Sequence, residues 1–188
     1  MKNKKGISLI VLIVTIIVII ILAAAVILTL NDNNPIDSSR VAQLADNRAS
    51  INSAINLYYG KHMAATQGIY DAEHIFTANK NPDTKKDEDK IEGITAIVGE
   101  QVGTSNYYKL AADATLKDTI EVVPPTMNGS NGWYIDITTG LVYLAYASED
   151  AIPSWMFGGA DEKTADTMDD TLYQFVKVVA DGTLKDVE

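Results

Sequence analysis

Apolar residues are concentrated near the start of the chain, where an almost unbroken run extends from Ile7 to Leu30. The run contains no charged residue, and only Ser8, Thr15 and Thr29 are polar. At about 1.5 Å rise per residue it forms a helix of roughly 36 Å, enough to cross a hydrocarbon core of about 30 Å. Lipid offers no partner to backbone amides, so a single spanning segment has to be helical. The pattern predicts a transmembrane helix over residues 7–30.

Charged residues flank this run unequally, and their distribution predicts its orientation. Lys2, Lys4 and Lys5 precede the run within a basic leader of residues 1–6, whereas the first charge after it is Asp32. Because Lys and Arg concentrate on the cytoplasmic side of membrane helices, the N-terminus is expected in the cytoplasm and the C-terminal domain outside the cell. One anchor plus one outer domain of about 150 residues is the natural division of such a chain.

A cleaved secretory signal peptide is the competing interpretation of the apolar run. Such a signal has an apolar region of roughly 7–15 residues followed by small residues at the cleavage site. The alanines at 23–25 resemble that site, but apolar residues continue beyond them to Leu30. The sequence therefore favours a segment that stays attached to the chain.

The next part of the chain has the period of an amphipathic helix. Residues 31–35 are turn-forming and end in Pro35, and Gly68 is a natural stop further on. We predict an amphipathic helix continuing outside the membrane within residues 31–68. Its apolar positions recur at helical spacing and lie on one side: Val41, Leu44, Ala45, Ile51, Ile55, Tyr58, Tyr59 and Met63.

Residues 69–188 are predicted to form a globular domain whose clearest signal is a β-hairpin near residues 132–147. The apolar and aromatic runs 133–137 and 141–146 flank Thr138-Thr139-Gly140, a short turn with glycine. The tail predicts a strand over 173–179 that turns at Asp181-Gly182. Before the hairpin, residues 107–117 are predicted to form a short helix and residues 120–123 a strand. Trp155, Met156 and Phe157 are expected to cover the core.

The net charge of the chain and its lack of enzyme motifs reduce the number of function classes to consider. The formal net charge is −10 and cysteine is absent. An acidic surface disfavours nucleic-acid binding, which needs clustered Lys and Arg. No motif of a hydrolase, nucleotide-binding enzyme or metalloprotease is present, so no enzyme activity, cofactor or metal is expected. The carboxylates within 79–90 lack the spacing and central glycine of a calcium loop, which leaves a solvated loop as the better interpretation.

The junction before the apolar run resembles the class III signal of type IV prepilins and type II secretion pseudopilins, in its Gram-positive form. The similarity lies in the short basic leader, in Gly6, and in the Ile-Ser-Leu-Ile start of the apolar run. It implies that a prepilin peptidase cuts after Gly6 and that the new N-terminal Ile7 is N-methylated. It also implies assembly through the residues that follow the cut, namely Ser8, Leu9, Ile10 and Val11.

One position departs from the family pattern. Pilins usually carry a glutamate as the fifth residue after the cut, where this chain has Val11. A free α-amino group has a reference pKa near 8 and is largely cationic at neutral pH. Because an unpaired cation in hydrocarbon is costly, that glutamate is thought to neutralise the amine of a neighbouring subunit. The departure points to a minor or tip-type subunit, or to a divergent branch of the family, rather than to a standard major pilin.

The resemblance extends to the fold and the partners. It implies an α+β, pilin-like fold in which a long N-terminal helix, with a transmembrane half and an amphipathic half, packs on a small antiparallel sheet. The phrase Trp133–Tyr143 also resembles the hairpin of Gram-positive pilin-like proteins. The implied partners are the prepilin peptidase, other pilin subunits, the pilus assembly machinery and the membrane. The implied location is the cell membrane and then a surface filament, which could serve secretion, adhesion, DNA uptake or motility. The alternative is an unprocessed, single-pass extracellular binding or sensor protein.

Overall fold

The computed structural model describes residues 9–32, 35–111, 113–125, 127, 129–160 and 162–188, and within the first helix it describes the side chains of residues 12–23. The chain forms two compact units, Met1–Ser39 and Arg40–Glu188. The described residues contain a long helix and a six-stranded sheet, which confirms the predicted α+β class at that level.

Two helices precede the sheet. Helix α1 spans Leu9–Asp32 and helix α2 spans Pro35–Ala65. Proline suits the first position of α2 because its fixed φ is already helical and its missing N–H would have no partner there. After α2 the chain turns through Gln67 and Gly68, which both have positive φ. Among the described residues, no helix is both long and apolar enough to cross a membrane. The span predicted over residues 7–30 begins outside the described residues and stays a prediction.

The remaining elements belong to the second unit, and strands alternate there with short helices. The α-helices are α3 (Ala72–Thr77), α4 (Asp113–Ile120) and α5 (Asp170–Tyr173). The strands are β1 (Val98–Gln101), β2 (Tyr107–Leu110), β3 (Gly132–Asp136), β4 (Val142–Tyr146), β5 (Val176–Ala180) and β6 (Thr183–Lys185). Single turns of 3₁₀ helix occupy Asp87–Asp89, Glu149–Ala151, Ser154–Phe157 and Ala165–Thr167.

The strands lie in chain order from β1 to β6. The predicted hairpin is present, because β3 and β4 pair antiparallel with Trp133 opposite Leu144. The turn at Asp181-Gly182 likewise joins β5 to β6. The expectation of a purely antiparallel sheet was wrong in one place, since β4 and β5 are parallel. A parallel pair needs a crossover of a dozen or more residues, and the long connection between Tyr146 and Val176 supplies it.

The predictions for residues 107–123 were wrong in part, because a helix does form at Asp113–Ile120 but does not include Tyr107–Leu110. Tyr107–Leu110 is strand β2, and its side chains alternate between half-buried and buried. Four residues are too few for their pattern alone to distinguish a strand from a helix. Pairing with β1 and β3 makes this segment a strand. Residues 120–123 do not form a strand, because Ile120 ends α4 and the next residues lead into Pro124-Pro125, which cannot donate to a ladder.

The main core lies between α2 and one face of the sheet. Ile51 and Ile55 of α2 are completely buried, and Trp133 of β3 stacks on Phe175 with ring centroids 6.3 Å apart. The apolar stripe predicted for the amphipathic helix supplies this contact. Met156 and Phe157 are buried in the same core, as predicted for the aromatic cluster of the tail.

A smaller core on the opposite face requires the sheet to curl. Val102, Tyr134, Ala145 and Leu184 are buried together there. The curl brings the turn after β1 against the turn before β6. A Cβ atom on Gly103 would lie 2.6 Å from the backbone oxygen of Gly182 and 2.8 Å from its Cα. The two turns therefore approach each other more closely than a side chain would permit.

We expect Gly103→Ala to lower the free energy of unfolding by about 3 kcal/mol, because it combines a positive φ with a backbone clash. Gly93→Ala is the matched control, since Gly93 has a φ of 75° and open space around its Cβ position. The control should cost only about 1–2 kcal/mol. Urea denaturation of the detergent-solubilised chain, followed by circular dichroism, measures both. Equal losses would show that the close approach of the two turns contributes nothing.

Candidate functional site

Helix α1 exposes a continuous apolar surface. All the large apolar side chains between residues 12 and 22 have exposed fractions between 47% and 63%. These side chains are Leu12, Ile13, Val14, Ile16, Ile17, Val18, Ile19, Ile20, Ile21 and Leu22. A helix that is apolar on every side belongs in an apolar surrounding, either lipid or other helices. Covering the exposed half of each such side chain is worth about 1 kcal/mol.

The polar residue inside this surface is satisfied within the helix. The Thr15 hydroxyl donates to the backbone oxygen of Leu12 at 2.8 Å. A hydroxyl that is already hydrogen-bonded can enter an apolar environment without leaving a donor unpaired. The described surface of α1 is therefore chemically uniform and suited to burial on all sides.

The residues predicted for processing and assembly fall at the beginning of this helix. Gly6, Ile7 and Ser8 lie outside the described residues. Leu9 is the first residue of α1, and Ile10 and Val11 continue its first turn. The three assembly residues from Leu9 to Val11 thus share one helix with the exposed apolar surface.

In the second unit, α2 is attached to the sheet by hydrogen bonds as well as by apolar packing. The Asn52 side-chain oxygen accepts from the backbone N–H of Val142 at 2.9 Å. Arg48 Nε donates to the backbone oxygen of the same residue, also at 2.9 Å. Val142 is completely buried at the start of β4, before β4 pairs with β5. The two helix side chains occupy the place of a neighbouring strand.

Aromatic rings surround the Arg48 side chain and complete this attachment. Its guanidinium carbon lies 4.9 Å from the ring centre of Phe175 and 6.0 Å from that of Tyr143. Burial lowers the pKa of Arg48, and the neighbouring Tyr143 acts in the opposite direction. Arginine remains charged at neutral pH even so, because its reference pKa is above 12. Cation–π contact and a backbone acceptor together hold this charge at the helix–sheet boundary.

A second tie joins α2 to the segment before β1. The Tyr58 hydroxyl donates to the backbone oxygen of Thr95 at 2.5 Å. Burial raises the pKa of Tyr58 well above its ordinary value, so the phenol keeps its proton. Arg48 and Asn52 thus fix α2 to the sheet, and Tyr58 fixes it to the segment that leads into β1.

Sequence reasoning identified the apolar stripe of α2 but missed the polar residues that hold it to β4. Arg48 and Asn52 are four residues apart, and they flank Ile51 and Ile55. Residues four apart lie on the same side of a helix. Two polar side chains at this spacing, beside an apolar stripe, were the available signal. Their acceptor and donor on Val142 could not be seen in the sequence.

The acidic loop considered for calcium shows local pairing. Asp87 forms an ion pair with Lys90 at 2.7 Å, and the Thr84 hydroxyl donates to Asp89. The Lys90 ion pair lowers the pKa of the exposed Asp87. Within the part of the chain that the structure describes, no three His, Asp or Glu side chains are grouped to hold a metal ion.

We expect Asn52→Ala to lower the free energy of unfolding by about 1–3 kcal/mol, because the buried N–H of Val142 loses its acceptor. Ser53→Ala is the control, since Ser53 is the next residue of α2 and is exposed. The control should stay within about 0.5 kcal/mol of wild type. Chemical denaturation of both variants gives the comparison. A loss for Asn52→Ala no larger than that of the control would contradict the attachment.

The described geometry thus contains an exposed apolar helix and a separate folded unit in which a second helix is fixed to a sheet. No protein-family model matches the chain, and no curated protein or solved structure shows a significant similarity to it.

Proposed function

We propose that this chain is a structural subunit, of minor or tip type, of a type IV pilus or of a secretion or competence pseudopilus. In this proposal a prepilin peptidase removes residues 1–6 and the N-terminal helix then assembles with those of other subunits. The proposal rests on the resemblance of the segment around Gly6 and Ile7 to a class III signal, together with the properties of α1.

The single observation that carries the proposal is the exposure of the apolar side chains of α1. No large apolar side chain described between residues 12 and 22 is buried, although Ile51 and Ile55 in the second unit are inaccessible to solvent. Such a surface has to be covered by something outside the chain. Lipid covers it before assembly, and the helices of other subunits cover it in the filament.

Two environments for one helix explain how a membrane segment becomes a filament core. Lipid tails solvate Ile and Val as well as other side chains do, so helix association in a bilayer has little hydrophobic driving force. The helix can therefore leave the bilayer laterally when the assembly machinery moves it. Close packing between helices then stabilises the filament.

The second unit supplies the part of the subunit that lies outside the membrane. Because α2 is fixed to β4 through Asn52 and Arg48, force on this helix reaches the sheet through hydrogen bonds and the packed core. A subunit that is extracted and stacked by machinery needs this kind of rigidity. The acidic surface keeps the outer domain in solution.

The first test is mass spectrometry of the intact protein and its N-terminal peptide, purified from membranes of the native host. We expect a mature chain that begins at N-methylated Ile7. A chain that retains residues 1–6 would contradict the proposal. It would instead identify the alternative, a single-pass surface protein whose helix serves only as an anchor.

We expect Gly6→Leu to block removal of the leader in cells that contain a prepilin peptidase, because the Leu side chain obstructs an extended backbone at the cut where glycine has no Cβ. Accumulation of the unprocessed mass on gels and by mass spectrometry measures the effect. Gly60→Leu is the matched control, since Gly60 lies on α2 with open space around its Cβ position. Processing of Gly6→Leu at the wild-type level would argue against pilin-type cleavage.

We expect Val11→Glu to raise the yield of crosslinked oligomers several-fold, because each subunit then offers a carboxylate to the α-amino group of its neighbour. In-cell crosslinking of processed protein provides the measurement. Val14→Glu is the control, since Val14 lies on the exposed surface of α1 and places the same charge one turn away. The assignment as a tip or minor subunit fails if the two variants assemble to the same extent.

A further inference from the structure

The segment from Ile13 to Ile21 consists of nine consecutive β-branched residues, which are isoleucines, valines and Thr15. Branching at Cβ restricts the side-chain rotamers in a helix, and it makes these residues weaker helix formers and stronger strand formers than leucine. All nine nevertheless lie within helix α1. The conformation of this segment is therefore the opposite of its intrinsic preference.

The described chain gives α1 little of what usually stabilises a helix. No large apolar side chain from Leu12 to Leu22 is buried, so packing against the rest of the chain does not hold this stretch. The first turn of α1 has no acidic residue and the last turn has no basic residue, so neither end is stabilised through the helix dipole. Because helices in proteins depend mostly on tertiary packing, α1 depends on what surrounds the chain.

An apolar surrounding keeps the segment helical in spite of its composition. Lipid offers no partner to backbone N–H and C=O groups, so a single segment satisfies them by forming a helix. Water removes this constraint, since it binds open backbone groups, and at the same time it disfavours exposed apolar side chains. Strands from several copies meet both conditions in water, because they bond to each other and bury their side chains between sheets.

The same nine residues have the sequence signature of a segment that stacks into cross-β sheets. Such segments combine high strand propensity with low charge, and they lack proline and have little glycine. Between Ile13 and Ile21 there is no charge, proline or glycine, and the nearest charges in the sequence are Lys5 and Asp32. Natural sequences usually place charged or proline residues beside such runs to prevent stacking. This run has no such protection of its own.

We propose that residues 13–21 form a conformational switch. They are helical while lipid or other helices cover α1, and they pair as strands with the same residues of other copies when that cover is lost. The second state is a stacked sheet of many copies. The switch depends on α1 alone, so it operates equally in a pilus subunit and in a simple membrane anchor.

The switch restricts how a subunit can be assembled. If α1 passed through water between the bilayer and the filament, residues 13–21 of several copies would pair as strands. The helix therefore has to move directly from lipid to the helices of a receiving filament. This consequence rests on the proposed function, whereas the switch itself does not.

The test follows the full chain, purified in octyl glucoside, while the detergent is dialysed away with or without phosphatidylcholine. Without lipid we expect thioflavin T fluorescence to rise at least about tenfold, and a fibre diffraction reflection to appear at about 4.7 Å. With lipid, circular dichroism should retain the helical signal and thioflavin T fluorescence should not rise. The absence of a rise without lipid, or an equal rise with lipid, would overturn the proposal.

A variant of equal apolar content separates strand propensity from general insolubility. It replaces six isoleucines of the segment by their unbranched isomer: Ile13→Leu, Ile16→Leu, Ile17→Leu, Ile19→Leu, Ile20→Leu and Ile21→Leu. This variant should still precipitate without lipid, but with a thioflavin T signal at least about fivefold lower than that of the wild type. A signal equal to that of the wild type would also overturn the proposal.

The matched control is Ile69→Leu, since Ile69 is 73% exposed and lies in the second unit. It should give the wild-type signal, because the proposal assigns the stacking to residues 13–21. A reduction as large as that of the six-residue variant would contradict this assignment. Cleavage of the leader is scored separately by mass, so failure here leaves the proposed assembly function intact.

Discussion

The packing of α2 on the sheet is the interaction on which the folded unit depends. Ile51 and Ile55 are completely buried against the sheet, and Asn52 and Arg48 bind both backbone groups of Val142. Apolar contact supplies most of the stabilisation but has no direction. The hydrogen bonds add direction, because a helix displaced by one turn would leave a buried N–H and C=O unpaired. The apolar side chains of α2 thus stabilise the folded unit, and its polar side chains determine where the helix lies on the sheet.

The two units differ in how far their large apolar side chains are exposed. The second unit buries most of its large apolar side chains between α2, the sheet and the crossover that follows β4. In α1, all the large apolar side chains described, from Leu12 to Leu22, are about half exposed or more. A surface of that kind is stable only when lipid or other protein covers it. This contrast is the physical basis for proposing a subunit that is held in a membrane and then in a filament.

The curl of the sheet has consequences on the face opposite α2. It brings Gly103 against Gly182 and allows Val102, Tyr134, Ala145 and Leu184 to form a small core of their own. On the same face, the Lys109 side chain passes closely over Gly132. Glycine is required where another stretch of backbone passes too close for a Cβ atom, as at Gly103. The close approach of the two turns at Gly103 and Gly182 therefore depends on the absence of a side chain.

Local pattern was sufficient for several elements of this protein. The helical spacing from Val41 to Met63 predicted α2, and the aromatic runs around Thr138-Thr139-Gly140 predicted the β3–β4 hairpin, because both patterns reflect a core on one side of the element. Tertiary structure determined the features that depend on residues far away in the sequence. It made Tyr107–Leu110 a strand and set β5 parallel to β4, because a short segment takes the conformation that its neighbours can pair with. It also joined Asn52 to Val142, a contact across 90 positions that no local pattern encodes.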